Sequence, residues 1–110
     1  MTNDRLARFQ QAMTLAKSNE ERSLVIDKSR SAYSVETLRF VLPYLDQPAF
    51  REVACKTIVE LAHHREVREP NKAEFDKVLD RVMQISNDAV VKDRAQRYKN
   101  GETWQRPKGS

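Results

Sequence analysis

Apolar residues recur at steps of three and four along most of this chain, and this spacing constrains the fold more than any other feature of the sequence. The clearest case is LPYLDQPAFREVACKTIVELA, residues 42 to 62. Its second half predicts one amphipathic helix with the inward-facing residues Phe50, Val53, Ala54, Ile58, Leu61 and Ala62. Two glycines, four prolines and no alternating apolar stretch leave little basis for a sheet. The sequence therefore predicts an all-α protein.

Capping residues and breakers divide the chain into six predicted helices. They cover, to within a few residues, 4–17, 19–32, 35–46, 47–64, 72–85 and 89–100, and residues 65–70 are predicted as a loop. The predicted N-terminal caps are Ser18, Ser34, Asp46 and Asn71, and Ser86-Asn87-Asp88 separates the last two helices. Pro43 should loosen the last turn of the third helix, whereas Pro48 suits the first turn of the fourth. Gly101 should end the sixth.

The other helices carry similar stripes. Their predicted inward faces are Leu6, Phe9, Met13 and Ala16; Leu24, Val25 and Ile26; Val35, Leu38, Val41, Leu42 and Leu45; Phe75, Val78, Leu79, Val82, Met83 and Ile85; and Val90, Val91, Ala95 and Tyr98. Pairs of helices begin near residues 4, 34 and 71, a repeat of about 30 to 37 residues that is typical of helical repeat arrays. Because one pair cannot bury its own stripe, the pairs are expected to stack.

Residues 42 to 62 resemble a HEAT repeat. The positions that carry the resemblance are Asp46, Arg51, Ala54 and Ile58, with Val53 where a branched or small residue is common. ISNDAVVKDRAQRYK repeats the pattern through Asp88, Val91 and Ala95, and the first pair matches in helical spacing only. The resemblance implies a short right-handed α-solenoid of about three antiparallel helix pairs over residues 1–100. It also suggests a module like those attached to larger bacterial proteins, including exported carbohydrate-active ones, which present a surface to another macromolecule.

The residues that usually carry catalysis are poorly arranged for it. His63 and His64 are adjacent and point about 100° apart on a helix, and Glu60 with His64 lacks a third metal ligand. Cys55, the single cysteine, lies among apolar residues and is expected in the core. No glycine-rich phosphate loop or glycine-framed serine is present. We therefore expect no enzyme activity, no cofactor and no metal.

Two functions from different classes fit the sequence. The first is a non-catalytic protein-interaction or scaffolding module whose partner is another protein or another domain of a parent chain. Its predicted contact residues are Arg39, Tyr44, Arg51 and His63. The second is nucleic-acid binding through the C-terminal helix and tail. Its predicted contacts are Lys92, Arg94, Arg97, Lys99 and Trp104.

The charge distribution bears on the second function. Residues 1–80 hold 13 basic and 13 acidic side chains, whereas residues 81–110 hold 7 and 3, so the whole net charge of +4 lies at the C-terminal end. The spacing of the four basic residues spreads them around an isolated helix, which favours a solvated face over a phosphate-binding line.

The ends of the chain suggest a domain over residues 1–100 and a polar tail over 101–110 that is expected to be disordered, with Gly109-Ser110 a candidate cloning remnant. The chain lacks an apolar run of about 18 residues and a signal-peptide pattern at its start. We expect a soluble monomer with no membrane contact, cytoplasmic by default, or exported if it is part of a secreted parent protein.

Overall fold

The fold is built from helices joined by short turns. The structure, a computed structural model, describes the backbone of residues 2 to 104 and the side chains of residues 4 to 104. Its helices are α1 (Thr2–Leu15), α2 (Asn19–Lys28), α3 (Val35–Val41), α4 (Arg51–Ala62), the single turn α5 (Arg65–Arg68), α6 (Lys72–Ile85) and α7 (Ala89–Lys99). Short 3₁₀ segments occupy Ser29–Ser31, Leu42–Asp46 and Glu69–Asn71. The described residues contain no strand, so the all-α prediction is confirmed.

Three helices begin at caps visible in the sequence. The Ser18 hydroxyl accepts a hydrogen bond from the Glu21 amide at 3.1 Å, and the Ser34 hydroxyl accepts one from the Thr37 amide at 3.2 Å. The Asp88 carboxylate accepts from the first amides of α7. Each cap occupies an amide that has no partner within its own helix, which explains why α2, α3 and α7 begin where they do.

The predicted cap at Asp46 is wrong. The chain remains 3₁₀-helical from Leu42 to Asp46, with Pro43 near the start of this segment, and α4 begins five residues later without a side-chain cap. The Asp46 carboxylate instead forms an ion pair with Arg81 on α6. The predicted loosening at Pro43 is confirmed, because the proline falls where α-helix gives way to 3₁₀ helix.

The predicted loop at residues 65–70 is also corrected. It contains the single turn α5 and the start of a 3₁₀ segment. Asn71 is in the N-cap position of α6 as predicted, but its side chain does not cap the helix. The side-chain amide nitrogen instead donates to the Val67 carbonyl at 2.8 Å. Backbone polar groups in this connection are thus paired locally, which lets a highly charged segment stay helical.

Helix α4 lies at the centre of the core. It packs against α2, α3, α6 and α7, and seven of its twelve residues are buried. Ala54, Ile58 and Leu61 are fully buried, which confirms the predicted register of this helix. Burial of one such aliphatic side chain contributes about 1.5–3 kcal/mol relative to exposure. The core therefore centres on the stripe that the sequence marked most strongly.

Two predicted inward positions are wrong. Leu24 is 57% exposed and Val90 is 54% exposed, whereas Ile26 and Val91 are buried. Leu24 and Ile26 are about 200° apart on a helix, and Val90 and Val91 about 100°, so neither pair can share one narrow face. The residue that contacts α4 is selected by packing, not by hydrophobicity alone.

Helices α2, α4 and α7 run parallel, side by side. The Thr57 hydroxyl on α4 donates to the Ile26 carbonyl on α2 at 3.2 Å, across 31 residues of sequence. On the other side of α4, Ser86, which precedes α7, donates to Glu52, and Arg94 in α7 donates to Glu60. Each of these hydrogen bonds spans 34 residues of sequence. On the α2 side the Tyr33 and His64 rings also stack across 31 residues, so partners on both sides of α4 advance together along the chain and α2, α4 and α7 end at the same edge of the molecule.

The overall dimensions are those of a compact domain. The radius of gyration is 13.4 Å and the principal extents are 37 × 30 × 30 Å. A compact chain of this length has a radius of gyration of about 13 Å. Within the described part of the chain, no helix combines the length and the apolar character needed to cross a bilayer.

Candidate functional site

The residues predicted to contact a protein partner lie on different helices, and three of them contact neighbouring parts of the chain. Arg39 donates two hydrogen bonds of 2.9 Å to Glu74, and Arg51 donates to the Leu45 carbonyl at 3.2 Å. Tyr44 is half-buried and packs edge-on against neighbouring aromatic rings. His63 is exposed, but it lies at the opposite end of α4 from Arg51, about 18 Å away at the rise of an α-helix. Arg51 and His63 therefore lie at opposite ends of α4, and Arg39, Tyr44 and Arg51 each contact other parts of the chain.

The residues predicted to contact nucleic acid are mostly engaged within the chain. Arg97 pairs with Asp93 at 2.9 Å, and Lys99 pairs with Asp80. Arg94 is buried, and the Trp104 ring covers its guanidinium at 4.2 Å. Lys92 is exposed. Carboxylates therefore neutralise Arg97 and Lys99, and Arg94 is buried. Three of the four predicted cations are not free to form a phosphate-binding line.

Trp104 extends the packed part of the chain beyond α7. Gly101 adopts a φ of 77°, its amide donates to the Tyr98 carbonyl, and the Glu102 amide donates to the Arg97 carbonyl. This is the Schellman arrangement that ends a helix and reverses the chain, and it confirms the predicted stop. The turn brings Trp104 onto Arg94 and the core. Of the predicted tail, residues 105–110 lie outside the described residues.

A continuous polar network joins the C-terminal halves of α4 and α7. Arg94 donates to Glu60 at 2.7 Å and, through two of its nitrogens, to the Tyr98 hydroxyl at 3.2 and 2.9 Å. The same hydroxyl lies 2.9 Å from Nδ1 of His63. Tyr98 is buried, whereas His63 reaches the surface. The network thus runs from a partly buried carboxylate to an exposed imidazole.

The ionisation of this network follows from its geometry. Burial by itself would raise the pKa of the Glu60 carboxyl, but the hydrogen bond and charge of Arg94 outweigh burial and hold that pKa below its ordinary value. Burial raises the pKa of the Tyr98 hydroxyl, although the bonds from Arg94 act in the opposite direction. At neutral pH the network therefore contains an ionised carboxylate, a guanidinium cation and a neutral phenol.

Arg68 closes the C-terminal end of α4. Its side chain is 1% exposed, and one terminal nitrogen donates to the Ala62 carbonyl at 2.6 Å. The other terminal nitrogen has no hydrogen-bond partner among the described residues. The guanidinium lies 5.2 Å from the centre of the Tyr98 ring, so the π face of the phenol compensates part of its charge. The cation suits a helix C-terminus, where carbonyls lack partners.

An exposed aromatic stack lies beside this network. The rings of Tyr33 and His64 are 4.0 Å apart and within 12° of parallel, and Tyr33 is 45% exposed. The His63 ring meets His64 edge-on at 5.8 Å. We call these three residues the aromatic face. It lies at the edge where α2, α4 and α7 end.

Sequence reasoning found only part of this face. His63 was predicted as a partner contact, and His64 was considered only as a metal ligand. Tyr33 was missed, yet it stands 31 positions before His64, the same separation that joins Ile26 to Thr57. The repeat of about 30 to 37 residues predicted from the sequence was the available signal.

The described residues are not arranged for metal binding or for thiol chemistry. They contain no group of three or more histidine, cysteine or acidic side chains placed to hold a metal ion. Cys55 is fully buried, and burial raises the pKa of its thiol to about 12. The predicted core position of Cys55 is confirmed, and a thiol of that kind is a poor nucleophile at neutral pH.

In comparisons with known proteins, no protein family, no curated protein and no solved structure matches this chain. Its class is therefore defined by its own fold, an all-helical domain in which α2, α4 and α7 form a parallel row.

Proposed function

We propose that this chain is a non-catalytic protein-binding module made of three HEAT-like helix pairs in a short α-solenoid. The side-by-side packing of α2, α4 and α7 supports the repeat interpretation. Polar contacts between the second and third pairs keep an offset of 34 or 35 residues from one end to the other, as stacked repeats of one length would. A role as an accessory domain of a larger bacterial protein fits such a module.

The aromatic face is the observation that carries the binding proposal. Interfaces are enriched in tyrosine and other rings that are already ordered, because a fixed ring loses little conformational entropy on binding. Tyr33 is held by stacking on His64, yet nearly half of its surface is open to solvent. A protein partner that covers Tyr33 and His63 would gain aromatic contact at low entropic cost.

The test uses immobilised protein and a lysate of the source organism, with and without nuclease. The variant is Tyr33→Ala, and the matched control is Val90→Ala, which truncates another exposed side chain at the far end of α7 from Tyr98. Val90→Ala should leave the unfolding free energy within about 0.5 kcal/mol of wild type. Tyr33→Ala also removes the stack on His64 and should cost about 0.5–1.5 kcal/mol, which leaves the protein folded.

The proposal predicts a protein that is retained by wild type and by Val90→Ala, is lost with Tyr33→Ala, and is insensitive to nuclease. The same dependence on Tyr33 should then be found with the purified partner. Equal retention by Tyr33→Ala, or no retained protein in any arm, would overturn it. Recovery that nuclease abolishes would point instead to nucleic-acid binding through Lys92 and the C-terminal segment.

A further inference from the structure

An asparagine followed by a glycine lies where α7 ends. Asn100-Gly101 is the only asparagine–glycine pair in the sequence, and Asn100 is exposed. The backbone nitrogen of the next residue attacks an asparagine side-chain carbonyl most readily when that residue is glycine, because no Cβ hinders the approach. This pair is therefore the place in the chain where the backbone is best suited to modify a neighbouring side chain.

The folded turn holds this pair in an unreactive form. The Gly101 amide donates to the Tyr98 carbonyl at 3.0 Å, so this N–H must be released before its nitrogen can form a new bond. The Asn100 side chain is fixed as well, because its oxygen accepts from Gln96 at 3.1 Å and its nitrogen donates to Glu102 at 3.2 Å. Reaction therefore requires these bonds to open, and helix ends open more readily than the core of a fold.

We propose that Asn100 is a site of spontaneous deamidation that is gated by this turn, and that its isoaspartyl product releases Trp104 from Arg94. The Gly101 nitrogen loses its proton and bonds to Cγ of Asn100, the Cγ–Nδ2 bond breaks, and Nδ2 leaves as ammonia. Water then opens the resulting cyclic imide at either of its carbonyls. One product is an aspartate, and the other is an isoaspartate whose main chain runs through Cγ. Water is the only co-reactant, and no atom is oxidised or reduced.

The isoaspartyl product does not fit the observed turn. It places an additional main-chain carbon between residue 100 and Gly101. The turn closes through two hydrogen bonds that span this position, from the Gly101 amide to the Tyr98 carbonyl at 3.0 Å and from the Glu102 amide to the Arg97 carbonyl at 2.8 Å. A longer main chain shifts both amides away from their carbonyls, so the turn opens.

Trp104 is the side chain that an open turn displaces. Its ring lies 4.2 Å from the Arg94 guanidinium, and Arg94 is 7% exposed beneath it. Within the described residues, the backbone after Glu102 makes no hydrogen bond, so contacts of the ring with Arg94 and the core hold Trp104 in place. Deamidation thus exposes a guanidinium face that is now covered. This step is independent of the proposed protein partner.

Peptide mass spectrometry of protein aged at mildly alkaline pH tests the modification. Asn19 and Asn87 are internal controls, because both are exposed and both precede a residue with a Cβ. In the folded protein Asn100 should deamidate several-fold faster than either, and in urea, where the turn is open, it should react several-fold faster again. Equal rates at the three asparagines in folded protein would refute the site. Equal rates at Asn100 with and without urea would refute the gating.

Fluorescence tests the release of Trp104, which is the single tryptophan of the chain. In isoaspartyl protein separated by chromatography, the emission should shift to longer wavelength, and acrylamide should quench it several-fold more strongly than in fresh protein. Asn100→Asp is the matched control, because it carries the new charge without the additional main-chain carbon, and its quenching should stay close to that of wild type. Isoaspartyl protein that is quenched like fresh protein, or an equal change in Asn100→Asp, would overturn the proposed release.

Discussion

Arg94 on α7 bonds Glu60 on α4 through a 2.7 Å hydrogen bond across 34 residues of sequence. The arginine side chain is 7% exposed and the glutamate 25%. A pair this far from solvent stabilises the packing of two helices only while both charges are present, because either one alone would be buried without compensation.

Replacement of Glu60 by glutamine should lower the unfolding free energy by about 1–3 kcal/mol at neutral pH, because Arg94 keeps a hydrogen-bond acceptor but loses its counter-charge. Urea unfolding followed by circular dichroism measures the loss. The control is Asp93→Asn, which breaks the exposed pair with Arg97 and should cost less than about 0.5 kcal/mol. Equal effects of the two substitutions would contradict the assigned role of the buried pair.

The contribution of Glu60 should depend on pH. Arg94 holds the pKa of this carboxyl below its ordinary value, so the folded state binds its proton less readily than the unfolded chain does. The stabilisation is complete above the unfolded pKa of about 4.3 and is lost as the pH falls through the folded pKa. Wild type and Glu60→Gln should therefore converge in unfolding free energy as the pH is lowered from about 5. A gap that stays constant down to acid unfolding would count against this linkage.

Replacement of Ile58 by aspartate should abolish cooperative folding. Ile58 is fully buried in α4, and a carboxylate there would have no partner. The expected loss is comparable with the total of about 5–15 kcal/mol that stabilises small domains. Lys56→Asp places the same side chain on the exposed side of α4 and should melt within a few degrees of wild type. If Ile58→Asp melts like wild type, the register given for α4 is wrong.

Gly101→Ala should lower the unfolding free energy by about 1 kcal/mol. The position requires a φ of 77°, and an added Cβ would meet no atom within 4 Å, so the whole penalty comes from the backbone. Gly101→Asn should lose less, since asparagine enters the left-handed region more readily. Thermal unfolding of the three proteins compares them, and alanine as stable as glycine would refute the role of this turn.

Local features of this fold were readable from the sequence because the physics behind them acts within one or two turns of helix. The stripe of α4 and the caps at Ser18 and Ser34 depend on residues three or four positions apart. Asp46 shows the limit of such reasoning. Its carboxylate suits a cap, but the competing partner Arg81 lies 35 residues away. No local rule detects that competition.

The candidate site depended on how the helices pack against one another. His63 could be proposed from sequence as an exposed residue, but Tyr98, which it contacts, and Tyr33, which stacks on the adjacent His64, come from distant parts of the chain. The sequence by itself determined the main helical segments and the buried stripe of α4, because helix formation and amphipathicity are short-range properties. Only the tertiary structure decided that α2, α4 and α7 end together, because that register follows from the packing of whole helices.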